Sequence, residues 1–154
     1  MTQVCLIVDA ESVRVRSERP VTANMWLLFD AAEFPMPGWN DFAVVILGWW
    51  VAALLRLMHG ETESETVNFM DGPYAVEVGN LRNGKLFFRA LKGPGRQIES
   101  AAGEALVGAF VNGLLSQSRA VLRACRDQGV WSSDEETLHS ALELLEAHVR
   151  LTLS

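Results

Sequence analysis

From Phe42 to Leu55 every residue is apolar or glycine, and this run constrains the fold more than any other part of the chain. It is about 14 residues long, whereas a helix crossing a bilayer needs ~20. Asn40 and Asp41 close one end and Arg56 the other. The Trp49–Trp50 pair falls mid-segment, not at the ends where lipid headgroups hold indoles. The run therefore predicts a buried helix and no membrane partner. Apolar nearly all round, such a helix has to be covered by other elements. Asn40 is placed to cap its N-terminus, with Asp41 in the first turn. The helix should end near Met58, with His59 close to its C-terminus and Gly60 beyond.

The covering elements can be read on both sides of the run. Cys5 to Val8 is apolar and largely β-branched, Val13 and Val15 alternate with Arg14 and Arg16, and Asn24 to Asp30 has strand length. Phe34-Pro35-Met36-Pro37-Gly38 forces a loop. After the helix, Asp71-Gly72-Pro73 and Asn83-Gly84 carry turn signals. They separate Thr66–Met70, Ala75–Leu81 and Lys85–Leu91, which read as an antiparallel meander. Gly93-Pro94-Gly95 then breaks the chain. Beyond it a helix is expected from Ile98 to Cys125, rich in small residues over Ala101–Gly113. A last helix carries Leu138, Ala141, Leu142, Leu145 and Val149 on one stripe, with Ser133 and Glu136 at capping-box spacing. Strands and helices are grouped, so the expected class is α+β. The expected architecture is an antiparallel sheet of four to six strands packed against three helices, in one domain over residues 1–154.

Charge narrows the partners. Nineteen acidic and 13 basic residues give a net charge of −6. That argues against nucleic acid, which needs Lys and Arg gathered on one face, and suits a basic protein partner. Met1 to Asp9 has neither the basic start nor the apolar core of a secretory signal. Cys5 and Cys125 sit among apolar residues and read as buried free thiols of a reducing compartment. The expected location is the cytoplasm.

No catalytic constellation emerges. The phosphate-loop, dinucleotide and nucleophile-elbow motifs are absent, and Lys92-Gly93-Pro94-Gly95-Arg96 lacks the Lys-Ser/Thr ending of a phosphate loop. His139 and His148 lie about 900° apart around a helix and cannot share a metal from it. No metal and no cofactor are expected. Glu33, Asp41 and Asp71, in or beside turns, are the carboxylates available for acid–base work in a small hydrolase or ligand-binding enzyme. Trp39 is a loop aromatic of the kind that anchors interfaces. Glu61, Glu63 and Glu65 form an acidic loop without a Lys or Arg beside them in sequence. These four are the candidate partner-binding residues, with Trp39 expected next to the loop.

Phe34-Pro35, Gly38-Trp39, Asp41-Phe42, the Trp-rich helix and Phe69-Met70-Asp71-Gly72-Pro73-Tyr74 together resemble small bacterial immunity proteins of polymorphic toxin systems. The resemblance covers roughly residues 24–91, about half the chain. It implies a non-enzymatic protein that binds and neutralises one cognate toxin, with contact positions particular to each pair. Apolar helices that form a homodimer, in a self-associating structural protein, are the remaining alternative.

Overall fold

The computed structural model describes residues 2–152, which form eight strands, three α-helices and one short 3-10 turn. In the first sheet β1 (Val4–Arg14) lies along one side of β2 (Thr22–Phe29). The short strands β3 (Ala32–Phe34) and β4 (Asn40–Asp41) share β2's other side. Strand β2 shows the period of two directly: Ala23, Met25, Leu27 and Phe29 are buried, and the residues between them are partly exposed. The helix α1 (Ala43–Met58) follows. Strands β5 (Ser64–Asn68), β6 (Tyr74–Asn80), β7 (Lys85–Lys92) and β8 (Ile98–Leu106) then make a second antiparallel sheet in chain order. Helices α2 (Val107–Asp127) and α3 (Ser133–Thr152) complete the α+β fold.

Helix α1 is interior, as its composition requires. It packs against β2, β5 and β6 and against both other helices. Trp50 is fully buried, with its ring centroid 6.3 Å from Phe88 and 5.5 Å from Phe110. Trp49, about 100° around the helix, is 41% exposed. No helix among the described residues is long and apolar enough to cross a membrane. The helix starts later than expected. Asn40 and Asp41 pair with Asn24 and Ala23 as β4, and Phe42 is the cap residue, with no side-chain cap bond.

Two other boundaries move. Residues Ile98 to Leu106 form a strand, not the first turns of a helix, because β7 offers them a ladder from Lys85↔Leu106 to Lys92↔Ile98, interrupted only by a register shift between Ala90 and Leu91. Lys92-Gly93-Pro94-Gly95-Arg96 accordingly joins two strands, with its 3-10 turn at Pro94–Arg96. Of the small residues, Gly103 serves a seam between the sheets. Gln3 bridges Glu104, whose N–H donates to the Thr2 carbonyl at 2.9 Å. A Cβ on Gly103 would stand 2.7 Å from Val4 Cγ2 and 2.8 Å from the Thr2 oxygen, so only glycine fits. At α3 the capping box sits one residue earlier than its spacing suggested. Buried Glu135 accepts from the Ser132 N–H at 2.7 Å and from its hydroxyl at 2.8 Å.

Candidate functional site

Trp39, Asp41 and Asp71, three of the residues singled out in the sequence, meet around one buried carboxylate. Asp41 is 3% exposed, at the junction of β4 and α1. Its Oδ1 accepts the Phe42 backbone N–H at 2.8 Å. Its Oδ2 accepts both the Trp39 indole N–H and the Asp71 backbone N–H at 3.1 Å. Hydrogen bonds to an ionised acceptor are among the stronger kinds, and these tie the loop before β4 to the turn after β5. The rings reinforce the joint edge to face: Phe34 lies 5.6 Å from Tyr74 and 6.1 Å from Phe69, and Trp39 lies 5.2 Å from Tyr74. Gly72 supplies the positive φ (72°) that this turn needs, and Arg96 Nε donates to the Tyr74 carbonyl at 3.2 Å.

This clamped end carries exposed apolar side chains. Met36 is 48% and Met70 47% exposed, one on each joined loop. Ile98, 53% exposed, starts β8 at the same end, since it pairs with Lys92 and Lys92 pairs with Tyr74. Trp39 is half-buried and packs against the core.

The acidic loop is elsewhere. Glu63 precedes β5, and its carbonyl accepts from Asn80, the last residue of β6, while Tyr74 and the Trp39 contact mark that strand's other end. Six residue steps separate the two ends, about 20 Å. Trp39 is therefore not adjacent to the acidic residues. Nor are those residues without cations. Glu63 meets Arg82 at 3.1 Å, both largely exposed, and Glu65 meets Arg56 at 2.6 Å. The Arg56 hydrogen bond holds the Glu65 carboxyl below the usual carboxylate range. Glu61 is exposed and adds its field to Arg56. Beside the loop is an open hollow of about 490 Å³, whose lining includes Leu57, Thr62, Glu63, Asn80 and Arg82.

Of the carboxylates read as acid–base candidates, Asp41 has its oxygens occupied by N–H donors. Asp71 is exposed in its turn and meets Asp41 through its backbone. Glu33 is exposed on β3, across from Leu28. The histidines fall in two places, His59 with His148 and His139 apart from them. The His148 ring contacts His59 at 4.7 Å, and His139 contacts Trp131 at 5.9 Å. Among the described residues no three or more His, Cys, Asp or Glu side chains gather as metal ligands. Both cysteines are free. Cys125 is buried as expected, but Cys5 is exposed because it lies on the outer face of β1, between buried Val4 and Leu6. Burial, with a smaller push from Glu135, raises the Cys125 thiol to about 11.

No protein family, curated protein or solved structure matches the chain.

One cluster escaped the sequence reading. Arg119, Arg123 and Arg126 line a hollow of about 120 Å³ with Leu122, Trp131 and His139. Their spacing of four and then three was the available signal, since it places all three on one helix face. The acidic net charge hid this local basic stripe.

Proposed function

We propose that this chain is a non-enzymatic protein-binding module of the bacterial immunity type, acting in the cytoplasm by covering a cognate toxin. The observation that carries this reading is the loop end built on Asp41, where Met36, Met70 and Ile98 stand exposed on a hydrogen-bonded, ring-packed frame. A frame held before encounter loses little entropy on binding. Thioether side chains then adapt their shape to the partner's surface. Trp39 belongs to the frame, with Met36 and Met70 as the contact residues. The net charge of −6 draws a basic partner from a distance and speeds encounter. Asp41, the carboxylate nearest the patch, positions two loops instead of moving protons.

The test is co-expression with a toxin-sized gene adjoining this one on the chromosome. The intact chain should restore growth, and a Met36→Asp, Met70→Asp double variant should not, although it folds and accumulates normally. Failure of the intact chain to restore growth would refute the immunity reading. Full rescue by the double variant would move the contact surface away from this end.

A further inference from the structure

The arginine-lined hollow between α2 and α3 stands apart from the Asp41 end and has its own charge balance. Three acidic side chains of α3 lie around this region, and each has its carboxylate engaged, though only Glu146 by a guanidinium of the hollow. Glu136 accepts the Trp131 indole N–H at 2.7 Å, Glu143 meets His139 Nε2 at 3.0 Å, and Glu146 takes Arg119 at 2.7 Å. Arg150 also reaches Glu146. Arg126 lies over the Trp131 ring with its guanidinium carbon 4.6 Å from the centroid. Stacking fixes that cation while its in-plane N–H groups remain available as donors. Arg123 is exposed and has no ion pair among the described residues. Two guanidiniums one helical turn apart thus make no ion pair among the described residues, above a floor formed by buried Leu122.

We propose that this hollow binds a phosphate group, held by Arg123 and Arg126 with Arg119 at its edge. A phosphate carries roughly −1.5 to −2 charges near neutrality, enough to engage both of these guanidiniums. A single carboxylate would neutralise only one of them. Guanidinium forks also suit the paired oxygens of a phosphate. Size selects further: sites that enclose whole cofactors usually measure ~300–1,000 Å³, whereas this hollow is about 120 Å³. It accommodates one tetrahedral oxyanion and leaves the remainder of any phosphate ester in solvent.

Calorimetric titration at constant ionic strength tests the assignment, with inorganic phosphate in one arm and glycerol phosphate in the other. Saturable binding of either is expected, and preference for one arm identifies free phosphate or a monoester as the source. Arg123→Gln should weaken binding by roughly tenfold or more, the loss expected for a charge-assisted contact. Arg82→Gln, at the distant acidic loop, should leave it unchanged. Unaltered thermal unfolding of both variants would confirm that the fold persists. Absence of saturable binding in both arms, or equal affinity in the Arg123→Gln and Arg82→Gln proteins, would overturn the proposal.

Discussion

Asp41 accepts three N–H groups, two from its own stretch of chain and one from the distant Asp71 turn, and the consequences of losing it can be stated in energy. Asp41→Ala would leave the Trp39 indole, the Phe42 amide and the Asp71 amide without their acceptor. Leaving a buried donor unsatisfied costs about 1–3 kcal/mol. With partial rehydration of the two loops, a net loss on the order of 3 kcal/mol is expected, read from the urea midpoint. Tryptophan emission should report local loosening around Trp39 first. The cysteines make a second contrast at this scale. Only the thiolate reacts, and burial holds the Cys125 thiol near 11. Partial burial raises the Cys5 thiol too, but its exposure means that alkylation near neutral pH should modify Cys5 first and leave Cys125 intact until the protein unfolds, as peptide mass mapping would reveal. Equal labelling in the native state would contradict the packing of α2.

Helix ends and strand edges carry the next set of interactions. Helix α3 begins with buried Glu135 accepting from both the N–H and the hydroxyl of Ser132, whose oxygen in turn accepts from the Asp134 N–H. Glu135→Ala should destabilise the protein by about 1–2 kcal/mol, the usual cost of a lost cap. The check is a lower urea midpoint with an unchanged dependence on urea. Helix α2 performs a different task through Gln117, whose amide donates to the Leu6 carbonyl and accepts from the Val8 N–H. One side chain thus completes a stretch of the open edge of β1, where an unpaired strand invites another chain. The expectations of an interior α1, though not of its Asn40 cap, and of the meander survived at this scale because a long apolar run and paired turn signals are local properties. The Ile98–Leu106 expectation failed because alanine's helix preference is a weak local term that tertiary pairing overrides. The ladder with β7 decided the outcome.

Both sheets and all three helices contribute to one continuous core, so the molecule should unfold as a unit. Far-ultraviolet circular dichroism and tryptophan fluorescence should trace coincident urea transitions. Gly103→Val probes the joint between the sheets: its side chain would collide with Val4 and the Thr2 carbonyl. Overpacking of this kind costs about 1–3 kcal/mol, and both probes should shift together. Separate transitions would mean that the two sheets are energetically independent. The sequence by itself determined the interior helix, most turn positions and the α+β class, since hydrophobic period and turn chemistry are written within a few neighbouring residues. Only the tertiary structure decided that Trp39 braces a frame, that Glu63 and Glu65 meet Arg82 and Arg56, and that three arginines share a hollow with Trp131. It also decided that Ile98–Leu106 becomes a strand. Those outcomes depend on partners brought together by folding, and a side chain's role follows from the charges and surfaces that reach it in space.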